Sequence, residues 1–253
     1  LATLQNAIVQ CSRATGEHLE RVTLLAKAYN WLATIDVNNG DLDTIRRKMA
    51  RLITTLHDVG GKERTLEEIL TGIDLKQIQI QTFPEPWRFK IDSENEGVKQ
   101  KLFSLDLDDS QWAKIRTDKN IGWDKQGFDG KQSVGFGWYR AYLPRGENEQ
   151  DRKFNYLYFE AVDEDAWVYL NGVEIFEHSV QTTSLTPAQL YLTAFNVPLI
   201  DMKLSDRDLL AVRVHSICCM GGIWKPVHLI QSDHDLTQIQ LHALIKLRTE
   251  HKQ

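Results

Sequence analysis

GWDKQGFDGKQSVGFGWYRAYLP at residues 122–144, YLYFEAVDEDAWVYLNGVEIFEH at 156–178 and RDLLAVRVHSICCMGGIWKPVHLI at 207–230 are three strand-and-turn passages. Apolar residues alternate with polar ones in each, the period of a strand with one buried face. In the first, Trp138, Arg140 and Tyr142 fall on one side of a strand and Tyr139, Ala141 and Leu143 on the other. One of the two sides must enter a core. In the second, Leu157, Phe159 and Ala161, then Ala166, Val168 and Leu170, form two strands around the acidic turn Asp163, Glu164 and Asp165. Asn171 and Gly172 predict a two-residue hairpin turn into Val173, Ile175 and Phe176, because both positions tolerate positive φ. The third passage bends at Gly221 and Gly222, which let the chain pass close to a neighbour, and continues through Ile223, Trp224, Lys225, Pro226 and Val227.

Working outward, the period-two pattern starts after Gly72 with Ile78, Ile80, Phe83, Phe89 and Ile91, with Pro84 and Pro86 marking a strand entry. Short strands then recur to about Ile230, the signature of an all-β sandwich rather than of βαβ units. Before Gly72 the apolar residues keep helical spacing: Leu4, Ile8 and Cys11; Leu19, Val22, Leu25, Tyr29 and Leu32; Leu42, Ile45, Met49, Leu52, Ile53 and Leu56. This predicts an N-terminal helical hairpin or small bundle, with a capping box from Thr65 to Glu68 opening a short further helix. The expected division is a helical region over 1–75, a sandwich over 76–235 and a tail over 236–253. That tail reads either as a partly alternating strand (Leu236, Ile239, Leu241) or as a helix (Leu241, Leu244, Ile245).

With 253 residues, 42% of them hydrophobic, the chain can bury one large or two modest cores. A net charge of -5 with mixed signs gives no basic stripe for a phosphate backbone, so nucleic acid is not expected as partner. No apolar run approaches the roughly 20 residues that span a bilayer, and no secretory signal is seen, so no membrane partner is expected. The chain starts at Leu1 within a helical pattern, which raises the expectation of a piece of something larger. Cys11, Cys218 and Cys219 read as free thiols. His178, His215, His228, His234 and His242 have no zinc-ligand spacing, and no nucleophile elbow, P-loop or dinucleotide-binding glycine pattern occurs.

Taken in order, WDKQG (123–127), GWYRAYLP (137–144), VYLNG (168–172) and GGIWKPV (221–227) resemble the sugar-binding domain of family 2 glycoside hydrolases and related galactose-binding-like modules. The resemblance covers residues 83 to 232 and implies a mainly β fold, a jelly-roll β-sandwich. It also implies a carbohydrate-associated role. In that family the two catalytic carboxylates reside on a separate barrel, which itself needs about 250 residues and does not fit beside these strands. The expected function is therefore a non-catalytic carbohydrate-binding or accessory module of a larger glycoside hydrolase or polysaccharide-active protein. A purely structural interdomain brace and a self-contained enzyme are the alternatives. The resemblance further implies an oligo- or polysaccharide and a catalytic domain of the parent chain as partners, and an extracytoplasmic location. Because another β domain follows the jelly roll in such enzymes, it also favours reading the tail as the start of a truncated strand.

Sugars lay their apolar ring faces on aromatic side chains while their hydroxyls bond polar groups at the rim. On that basis the candidates are Trp112, Trp123, Trp138, Trp167 and Trp224. Trp123 stands among loop residues and is the first candidate platform, with Asp124 and Gln126 beside it. Trp138, Arg140 and Trp224 complete the expected carbohydrate contacts, and Trp167 is expected to pack a sheet face. No cofactor is expected; the acidic turn reads as solvated carboxylates, with Asp163 and Asp165 as the candidates if it holds a structural calcium instead.

Overall fold

The computed structural model describes residues 65–128, 134–144, 152–183, 185–199, 202–217 and 221–250. The helices expected before residue 65, together with Cys11, Cys218 and Cys219, lie outside the described residues. The chain divides into two compact units, Leu1–Gly72 with Thr237–Gln253, and Ile73–Leu236.

In the larger unit twelve strands follow one another: β1 (Ile78–Thr82), β2 (Trp87–Asp92), β3 (Ala113–Ile115), β4 (Gly135–Tyr142), β5 (Phe154–Phe159), β6 (Val162–Asp163), β7 (Asp165–Leu170), β8 (Val173–His178), β9 (Phe195–Pro198), β10 (Leu209–Ser216), β11 (Gly222–Ile223) and β12 (Val227–Ser232). They form a four-stranded sheet of order β1-β12-β5-β9, a six-stranded sheet of order β3-β2-β4-β10-β7-β8 and the small pair β11-β6. The pairings are antiparallel throughout. This is the expected mainly β jelly-roll sandwich.

Period-two alternation builds the core. On β10, Leu210, Val212 and Val214 join the main cluster, with Val168 and Leu170 of β7, Tyr139 of β4, Leu157 and Phe159 of β5, and Val227 and Leu229 of β12. Burying each such side chain contributes roughly 1.5–3 kcal/mol, so the cluster drives the two sheets together. The Asn171-Gly172 hairpin forms as expected, with φ of 51° and 82°. Asn171 also locks that turn to β10, its Oδ1 accepting from Leu209 N at 2.9 Å and its Nδ2 donating to Asp208 Oδ1 at 2.9 Å.

The sequence left open which side of GWYRAYLP is buried, and both are. Tyr139 enters the main core, whereas Trp138 points outward with Tyr169 and Ala211 into a second cluster under Leu102, Phe103, Leu107 and Trp112. Arg140 is 2% exposed there and donates through Nη1 to Leu102 O and Ser104 O, both at 2.8 Å, and through Nε to Asp109 Oδ2 at 2.7 Å. Trp138 Nε1 donates to Asp92 Oδ2 at 3.0 Å, and the same carboxylate accepts from Glu96 N and Gly97 N at 2.9 Å. Segment 93–112 is thus fastened over half of the outer face of the six-stranded sheet.

Between β8 and β9 run two single-turn helices, α2 (Val180–Thr183) and α3 (Pro187–Leu190). In the smaller unit, α1 (Leu66–Ile69) opens with the expected reciprocal bonds, Thr65 N to Glu68 Oε2 at 2.9 Å and Glu68 N to Thr65 Oγ1 at 3.2 Å. The tail is the helix α4 (Gln238–Glu250), which corrects its reading as a truncated strand. Thr237 and Gln240 supply the local cause. Thr237 N donates to Gln240 Oε1 at 2.9 Å and Gln240 N to Thr237 Oγ1 at 3.4 Å, a capping pair that starts the helix and buries Leu241, Leu244 and Ile245 on one side.

Candidate functional site

Trp123 and Gln126 bound a short 3₁₀ turn, which Gly127 closes at φ 96°. The turn is pinned from within: Gln126 accepts from Arg116 N at 2.9 Å and donates back to Arg116 O at 2.8 Å. Trp123 is fully buried, its ring 5.5 Å from that of Phe89. Gly221 and Gly222 exist for this packing. At φ 67° and 92° they hold conformations that other residues resist, and a methyl group on either would stand 2.1 Å from Trp123 Nε1 or from Tyr139 Oη. The Gly-Gly bend therefore closes over the Trp123 indole.

These facts correct the expected sugar platform. Trp123 and Trp138 have no exposed surface, and Arg140 spends its donors on the 93–112 segment. Trp224 is 7% exposed and lies stacked on Tyr191, 4.7 Å away and 14° from parallel. Asp124 and Gln126 are half-buried beside a ring that is closed to ligands, and Gln126 spends its amide on Arg116. The residues that carry the motif build the core, which is why they read so clearly in the sequence.

The acidic turn is likewise occupied by the fold. Asp163 Oδ2 accepts from Gly221 N at 2.7 Å, Glu164 Oε2 from Ile217 N at 2.5 Å, and Asp165 Oδ1 from Val180 N at 2.9 Å. Asp165 Oδ2 faces His215 Nδ1 at 3.4 Å. The three carboxylates thus fan out to different neighbours, and the described residues contain no group of acidic, histidine or cysteine side chains able to hold a metal ion. This corrects the pairing of Asp163 and Asp165 as calcium ligands.

Burial pushes the Asp163 carboxyl up to about 6, the Gly221 N–H only partly offsetting it, with Glu164 and Asp124 adding to the rise. A carboxyl raised from 3.8 keeps its proton in the folded state while the unfolded chain loses it, so stability falls as pH climbs from about 4 to about 6 and is level above. Asp163→Asn keeps an acceptor for Gly221 and has no charge to bury. Relative to the parent, the variant should gain on the order of 2 kcal/mol between pH 4 and pH 7 in urea denaturation. A difference that stays constant over that range would contradict the burial of a titrating Asp163.

A different set of side chains comes together on the outer face beyond segment 93–112. The registers place Arg213 opposite Trp138 and Trp167, and His215 opposite Phe136 and Asp165. Phe136, Trp167, Arg213 and His215 are all half-buried. Arg213 Cζ lies 4.1 Å from the Phe136 ring centre and 4.5 Å from that of Trp167, and His215 stacks on Phe136 at 4.3 Å. Arg213 Nη2 donates to Asn95 Oδ1 at 2.6 Å. Arg213 Nε is buried with no acceptor, and burial draws this guanidinium below its ordinary pKa. Cations against aromatic faces are favourable by roughly 0.5–2 kcal/mol, so the row is held in place before any ligand arrives. Trp167 was expected to pack a sheet face and does. Arg213 and His215 were readable as an outward pair from their spacing on β10, but their aromatic neighbours come from other strands.

No family model matches the chain, and no curated protein matches it. Solved structures do. A β-glucuronidase of an uncultured Clostridium sp. superposes with a TM-score of 0.51 at 22% identity, covering 63% of this chain and 30% of that one. The β-glucuronidase of Ruminococcus gnavus in complex with uronic isofagomine gives a TM-score of 0.50 at 16% identity, covering 63% and 29%. The likeness is one of fold. The chain spans about 30% of the length of these two enzymes.

Proposed function

We propose that this chain is a non-catalytic accessory module of a larger carbohydrate-active enzyme, acting as a β-sandwich that braces a separate catalytic domain. One observation carries the reading: the β-glucuronidase structures that share this fold match 63% of this chain but only about 30% of their own length. The burial of Trp123, Trp138 and Arg140 supports it, since the residues of the motif serve the sandwich itself. The carboxylates of the acidic turn bond backbone N–H groups and His215 rather than facing one another across a cleft, whereas glycoside hydrolysis needs two of them flanking the scissile bond. Carbohydrate binding is the second reading, favoured by the half-exposed row around Arg213 and Trp167.

The test is direct. The purified chain, incubated with a panel of chromogenic glycosides including a glucuronide, is expected to release no product above buffer. Turnover that co-elutes with the folded protein through gel filtration would overturn the accessory reading.

A further inference from the structure

The part of the outer sheet face around Phe136, Trp167, Arg213 and His215 is neither core nor plain polar surface. Val134 and Ile217, 43% and 48% exposed, adjoin the ends of β4 and β10 that carry Phe136 and His215. The rings of Phe136 and Trp167 flank one guanidinium. The carboxylates nearby are spent on other partners: Asp92 on Trp138, Glu96 and Gly97, Asp165 on Val180 and His215, and Glu177 on Ser179 Oγ at 2.6 Å. Asp92 and Glu174 act on Arg213 only through space, and among the described residues none of the ion pairs includes it. Its one side-chain bond is to the neutral Asn95.

With Nε buried and Nη2 bonded to Asn95, this guanidinium, fixed by ring contacts and without a carboxylate partner among the described residues, is left with Nη1 to donate to an anion, and it has less ordering to lose on binding than a free side chain. Partly exposed aromatic and aliphatic groups beside it suit the C–H face of a pyranose. Building on the carbohydrate-associated reading above, we propose that Arg213, with Phe136, Trp167 and His215, forms a subsite for a negatively charged sugar residue of a glycan, one bearing a carboxylate or a sulfate. The net charge of -5 means that the whole molecule does not attract polyanions, so selection rests on this local guanidinium.

Calorimetric titration of the full chain tests this with oligogalacturonate, its methyl ester, dextran sulfate, unsubstituted dextran and inorganic sulfate. At least one of the two charged glycans should bind, ten-fold or more tightly than its uncharged counterpart. Preference for oligogalacturonate assigns a carboxylate, and preference for dextran sulfate a sulfate. Arg213→Met, which keeps the aliphatic stem, and Trp167→Ala should each lose ten-fold or more while both variants stay folded by circular dichroism. Equal binding of charged and uncharged forms, no binding of either charged glycan, or full binding by Arg213→Met would overturn the proposal. Binding of inorganic sulfate as tight as that of the glycans would overturn its sugar component. Such failures leave the accessory reading standing, because that reading depends on the absence of turnover.

Discussion

Trp123→Ala should cost the sandwich about 3–5 kcal/mol, the range for removing a large aromatic side chain from a packed core. For a unit of this size that lowers the thermal midpoint by roughly 6–20 °C. The ring contacts Phe89 and fills the space that Gly221 leaves for it, so its loss opens a cavity between the first motif and the last. Trp123→Phe should cost clearly less. The buried Nε1 has no acceptor, so the smaller ring sacrifices volume but no hydrogen bond. Urea unfolding followed by circular dichroism measures both variants. A cost below about 1 kcal/mol for the alanine variant would show that the ring is not part of the core.

Arg140→Met should cost about 3 kcal/mol, by leaving Leu102 O, Ser104 O and Asp109 without their donor beneath a closed surface. The loss should also be local. Trypsin is expected to cut after Lys99 and Lys101, which are exposed residues of the fastened segment, several-fold faster in the variant. Cleavage there at the parental rate, together with parental stability, would mean that other contacts hold the segment.

Much of the sandwich was legible because its signals are local. Asn171 and Gly172 make a hairpin wherever apolar strands flank them, and the spacing of Leu210, Val212 and Val214 needs no partner to be read as a buried face. The tail was ambiguous because its apolar residues satisfy two periods at once. The capping pair Thr237 and Gln240 was the local signal that decides between them. The site is not legible in the sequence for a physical reason. Tryptophan beside aspartate and glutamine in a loop has the composition of a sugar platform, yet the same composition serves a turn folded over its own indole. Whether the ring faces out depends on Gly221 and Phe89, about a hundred and about thirty residues away. The row at Arg213 was hidden for the same reason, being assembled from three strands whose order in the sheet is not their order in the chain.

The Arg140 clip has a bearing on how the molecule assembles. Leu102 and Ser104 can offer their carbonyls only to an arginine that β4 already presents, and β4 acquires its neighbours β2 and β10 from distant parts of the chain. Closure of segment 93–112 therefore depends on a sheet already assembled, and the amides of the segment are expected to exchange with solvent faster than those of β4 and β10, a difference that hydrogen-exchange mass spectrometry would measure.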